Sequence, residues 1–172
     1  MGGSGHAQQQ STSTMTGSGL DYHHSTLRCS APGSLPGSVV NVTLADMGMT
    51  KMMSGIAPMG AHMILRSSPA SVAAGQVSLI ASNLGWRTHE LVVLPLAAGA
   101  VAGRKVAGGD GKVAEAGSLG EASGSCAART GDGIGSGQIG WVTVTLAPGN
   151  YELVCNLPNH YADGMYQKLV VF

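Results

Sequence analysis

Charge is scarce in this 172-residue chain. Nine acidic and nine basic side chains cancel, and charged residues make up 10% of the whole, against about 25% in an average domain. That scarcity excludes a phosphate-tracking surface and an acidic tail, so nucleic acid is not an expected partner. No run approaches the roughly 18 consecutive apolar residues of a transmembrane helix. Residues 1–20 lack the charged and apolar blocks of a signal peptide, so an exported protein would present this chain in its mature form. Strong helix formers are nowhere gathered into a long amphipathic pattern, while glycine, at 27 residues, is abundant. The length suits one domain with a single core, and the composition favours strands joined by loops.

The organisation along the chain follows that composition. Residues 1–37 are Gly, Ser, Thr and Gln with few apolar anchors, too little to offset ordering entropy, and read as a flexible arm. From residue 38 the pattern turns β-like. SVVNVTLA alternates Val40, Val42 and Leu44 against Val39, Asn41 and Thr43, and HMILRS, QVSLIAS, HELVVL, WVTVTLA, YELVC and MYQKLVVF follow. About seven or eight short strands make an all-β sandwich over 38–172. The turn APGN (147–150) is short enough for a hairpin, which predicts that WVTVTL and YELVC pair. Between Leu96 and Gln138 runs an Ala/Gly-rich interval too long for an ordinary loop, hence mobile or functional, in which KVAEAGSLGEA is expected to form one or two helical turns.

The chemistry is concentrated in CNLPNHYADGM, residues 155–165. Period-2 alternation in YELVC leaves Cys155 where a strand runs out, and Pro158, two asparagines and Gly164 supply a tight turning loop before the last strand. Such a loop can bring Cys155, His160 and Met165 to one point. Thiolate, imidazole and thioether form a soft donor set that suits copper; zinc sites seldom use Met, and calcium or magnesium sites require oxygen. His89, at the start of an apolar strand after an Asn-Leu-Gly-Trp turn, is the best candidate for a second imidazole. Two imidazoles and a thiolate with a long axial Met are the arrangement of electron-transfer blue copper.

Cys155-x4-His160-x4-Met165 after an apolar strand, with His89 upstream in N-x-G-x-x-x-H-E, closely resembles the cupredoxins, and within them the sulfocyanin and rusticyanin group. The resemblance spans about residues 38–172. It implies a Greek-key β-sandwich, one type 1 copper held by His89, Cys155, His160 and Met165, and one-electron transfer without enzymatic chemistry. It further implies redox protein partners such as a cytochrome, oxidase or reductase, an extracytoplasmic location, and an electron port at the His160 edge among Leu157, Pro158 and Tyr161. Glu90 and Asn156, each adjacent to a ligand, are expected to link the two ligand segments.

Several residues carry alternatives. Cys29 and Cys126 either pair in a disulfide, which would suit an oxidising compartment, or stay free. Met47, Met49, Met52, Met53, Met59 and Met63 either pack around the copper end or bind a second copper, the basis of the rival reading as a copper chaperone or storage protein. His62 lies among them; His6, His23 and His24 sit in the arm. A copper enzyme is disfavoured because His-x-His and His-Cys-His patterns are missing.

Overall fold

The computed structural model describes residues 25–46 and 63–172, together with the backbone of two short strands, β1 (Thr16–Gly17) and β2 (Leu20–Asp21), which pair antiparallel. The other strands are β3 (Ser38–Ala45), β4 (Ile64–Ser68), β5 (Ser71–Val72), β6 (Gly75–Asn83), β7 (Leu91–Leu96), β8 (Gly120–Ala122), β9 (Ile139–Leu146), β10 (Gly149–Val154) and β11 (Tyr166–Val171). They form a four-stranded sheet ordered β4-β3-β6-β9 and a five-stranded sheet ordered β5-β11-β10-β7-β8. Both sheets are mixed, since β3 runs parallel to β6 and β5 parallel to β11. The result is an all-β sandwich with Greek-key crossovers, and there is no helix among the described residues.

Alternation builds the core. Val40, Val42 and Leu44 of β3, Val77, Leu79 and Ala81 of β6, and Val144 and Leu146 of β9 face Leu91, Val93, Tyr151, Leu153, Leu169 and Val171 of the other sheet. The opposite phase of β3 is open, with Val39 40% exposed. Each fully buried Val or Leu contributes about 1.5–3 kcal/mol, so a one-residue slip that turned β3 over would forfeit several such terms.

Two local expectations are corrected. β9 and β10 do not pair: β9 bonds to β6, and β10 lies between β7 and β11. APGN is a corner that carries the chain from one sheet to the other, closed by the Tyr151 hydroxyl donating to Ala147 O at 2.8 Å. Both strands alternate because each lines the same core from opposite sides, and alternation alone does not distinguish that from pairing. Nor does KVAEAGSLGEA turn helical. It contains a turn at Ala116–Gly117, with Gly117 at φ +78°, and then becomes β8, whose backbone is satisfied along the edge of β7.

The long interval is an ordered cover. Residues 97–119 lie over the outer face of the five-stranded sheet, where Val92, Leu94, Val113, Val154 and Tyr161 form a second, smaller core. Residues 25–37, read from sequence as the end of an arm, lie against the sandwich: Ser25 N–H donates to Leu84 O, Arg28 N–H to Gly137 O, and Cys29 is joined to Cys126 by a disulfide across 97 positions.

Candidate metal centre

Cys155 continues the inward phase of Tyr151 and Leu153 just past the end of β10. The loop that follows is a succession of turns: His160 N–H donates to Leu157 O at 3.0 Å, Asp163 N–H to Asn159 O at 3.0 Å and Gly164 N–H to Tyr161 O at 3.0 Å. Asn159 takes φ +69° and Gly164 φ +103°, a backbone region that suits Asn and Gly. The loop closes where Met165 N–H meets His160 O (3.1 Å) and Cys155 N–H meets Met165 O (3.0 Å). Cys155 and Met165 are fully buried and share the main core cluster, while His160 is 7% exposed.

His89 arrives from the β6–β7 connection. Asn83, at the end of β6, builds that turn by donating Nδ2–H to Arg87 O and Ile134 O, each 2.7 Å, while its Oδ1 accepts Gly85 N–H at 2.9 Å. His89 and Ile134 then exchange backbone hydrogen bonds of 3.1 and 2.6 Å, which pins the histidine to the 123–137 segment. Behind the imidazole lies Asp46, the residue after β3, with Oδ2 2.8 Å from His89 Nε2; both side chains are buried.

These segments meet at one end of the sandwich because β7 and β10 are adjacent, with Val92 opposite Val154. Cys155 Sγ is 3.3 Å from His160 Nδ1 and 3.9 Å from His89 Nδ1, and the two Nδ1 atoms are 3.2 Å apart. All three donors lie within 4.8 Å of one another. Burial pushes the Cys155 thiol up to about 12, against the pull of the Glu90 and Leu157 N–H groups. Burial, then the neighbouring His89, lowers His160 to about 4. A neutral imidazole and a thiol that resists ionisation without a nearby cation, with soft donors converging, fit a single type 1 copper.

Glu90 and Asn156 do link the ligand segments, through their backbones. Glu90 N–H donates to Cys155 Sγ at 3.3 Å, and Asn156 N–H faces the Glu90 carboxyl. That carboxyl is raised to about 7, by burial first and then by Glu121. The Asn156 side chain turns away to the cover, accepting Val113 N–H at 2.8 Å and donating to Val113 O at 2.9 Å and Glu115 Oε1 at 2.6 Å.

Of the side chains expected around the port, Leu157 is half-buried and Pro158 exposed, but Tyr161 is buried under the cover, donating to Glu152 Oε1 at 2.8 Å. Met63 joins the core. Met47, Met49, Met52, Met53, Met59, His62, His6, His23 and His24 lie outside the described residues. Sequence reasoning missed Asp46; the only available signal was an acid closing an otherwise uncharged strand.

A β-sandwich with a buried thiol and two imidazoles converging at one end, beside a buried Met, is a cupredoxin. Residues 69–172 match the sulfocyanin (SoxE) domain, and the chain belongs to that family. Among solved structures, an auracyanin from Roseiflexus castenholzii is similar at 17% identity and TM-score 0.46, over 79% of this chain and 98% of that one. Auracyanin A from Chloroflexus aurantiacus follows at 16% and 0.44 (78% and 98%), and rusticyanin from Thiobacillus ferrooxidans at 19% and 0.43 (79% and 79%). No curated protein sequence matches.

Proposed function

We propose that this chain is a single-copper electron carrier, with His89, Cys155, His160 and Met165 as ligands, passing one electron between redox proteins outside the cytoplasm. The convergence of three donor atoms at the buried end of the sandwich carries this reading. When bound, copper would supply the Cu(I)/Cu(II) redox couple. The residues of the chain supply rigidity and dryness. Full burial of His89, Cys155 and Met165 excludes water. The Glu90 N–H, with that of Leu157, stabilises negative charge on sulfur. Backbone bonds at both ends of the ligand loop keep the donors in one arrangement, which keeps the reorganisation barrier small.

His160 is the electron port in this reading, being the more exposed imidazole, beside half-buried Leu157 and exposed Pro158. Zero formal charge favours docking by apolar contact, with weak steering and little salt dependence. The functional unit is residues 38–172, and the Cys29–Cys126 disulfide supports an oxidising compartment. Partners are redox proteins of the cytochrome, oxidase or reductase kind, and the chain has no substrate chemistry of its own.

The test is the visible and EPR spectrum after titration with copper. We expect one copper per chain and an intense thiolate charge-transfer band that Cys155→Ser abolishes. A colourless protein taking up only Cu(I), in several equivalents, would overturn the assignment in favour of a methionine-based chaperone.

A further inference from the structure

β3 and β6 run parallel, with Leu44 opposite Asn83, so the residue that leaves β3 and the turn that leaves β6 emerge at the same end. Asp46 is that residue. Its Oδ2 accepts two N–H groups of the turn, Arg87 N–H at 3.0 Å and His89 Nε2–H at 2.8 Å. The carboxylate is 1% exposed and the imidazole 0%. Gly85 makes the approach feasible, because a Cβ there would collide with Asp46 Oδ2. Burying a carboxylate is expensive unless charge or hydrogen bonds compensate. A neutral carbonyl would have sufficed to orient a ring.

We propose that Asp46 is a positioning residue for the copper ligand His89: it holds the proton on Nε2, commits Nδ1 to the metal, and sets a carboxylate behind the ligand that favours Cu(II) over Cu(I). An imidazole has two nitrogens, and the partner of one decides which proton state the other presents. Here the acceptor at Nε2 leaves the Nδ1 lone pair aimed at the point shared with Cys155 Sγ and His160 Nδ1. His160 has no such carboxylate within hydrogen-bonding distance of its ring among the described residues, so the hydrogen bond orients one imidazole of the two, while the Asp46 charge is felt by His160 as well. The contact joins positions separated by 43 residues and ties the four-stranded sheet to the site, whose proposed ligands otherwise flank strands of the five-stranded one.

The inference rests on His89 being a ligand, and its test separates the two claims. Ring-nitrogen NMR of the metal-free protein reads the tautomer without copper. Wild type should show His89 protonated at Nε2. Asp46→Asn, which keeps an acceptor, should retain that tautomer yet bind Cu(II) about 10- to 100-fold more weakly, with a smaller loss for Cu(I) and hence a higher reduction potential. Asp46→Ala should lose the tautomer preference as well, with broadened EPR hyperfine lines on copper loading. If both variants fold and keep wild-type tautomer, affinity ratio and potential, the role assigned to Asp46 is wrong. If Asp46→Ala does not fold, Asp46→Asn decides alone: an unchanged Cu(II)/Cu(I) affinity ratio overturns the proposal. Wild-type protein without a blue spectrum, but with the Nε2–H tautomer, would sink the copper assignment and leave the Asp46 contact standing.

Discussion

The two imidazoles of this site are supported by different machinery. His89 is fixed by distant chain, Ile134 through its backbone and Asp46 through its ring, and is delivered by a turn that Asn83 ties to Ile134. His160 sits on a loop whose backbone hydrogen bonds are mostly internal and which is propped from outside by the 97–119 cover, where Asn159 N–H donates to Gly111 O at 2.9 Å and Asn156 grips Val113. One proposed ligand is an anchor built from tertiary contacts; the other belongs to a self-folding loop nearer the surface. The proposed carrier role needs both, since a site buried on all sides could not hand an electron on, and one exposed on all sides would relax on each transfer.

Replacing each histidine by glycine gives the largest expected contrast. Both variants should lose the blue spectrum. Adding free imidazole should restore it in His160→Gly, whose vacated space adjoins exposed Pro158 and Asn159, and fail to do so in His89→Gly, where the native side chain is fully enclosed. Equal recovery in both would erase the distinction between anchor and port.

Next in size is the strap. Cys29→Ser with Cys126→Ser should lower stability by about 2–5 kcal/mol, read from the denaturant midpoint. Amide exchange should quicken at His89 and Ile134, on the segment the disulfide restrains, and stay slow at Val113 and Asn159. Asn156→Ala is the mirror experiment. It removes three hydrogen bonds between ligand loop and cover and should cost about 2 kcal/mol. Exchange should quicken at Val113 and Asn159 and leave His89 unchanged. The smallest effect belongs to Tyr161→Phe, which removes the hydroxyl that bridges Lys105 N–H and Glu152. A loss of about 1 kcal/mol with an unaltered visible spectrum is expected, and a shifted spectrum would mean the cover reaches the metal more directly than its contacts indicate.

The same contrast explains what the sequence disclosed. Cys155, His160 and Met165 are close in sequence, and a loop that folds on itself leaves its spacing in plain view. The span of β3 was legible to the residue, because half-buried alternation marks a strand over its whole length. Asp46 was not legible, because its value depends on β3 running parallel to β6, a pairing that neither strand's pattern encodes. The APGN corner misled for a related reason: a two-sheet fold lets consecutive alternating strands face each other across the core. Within the cover, KVAEAGSLGEA had helix-forming residues but lay beside the unpaired edge of β7, and the edge prevailed.

The Cys29–Cys126 bond has a topological corollary. A single backbone cleavage anywhere between those positions yields two fragments that remain one covalent molecule; when the cut falls after Asp46 and before His89, the N-terminal fragment keeps Asp46 and the C-terminal fragment keeps all four proposed ligands. Protein nicked before His89 should therefore run as one band on a non-reducing gel and as two once a reductant is added, and before that addition the oxidised, copper-loaded form should keep its blue colour.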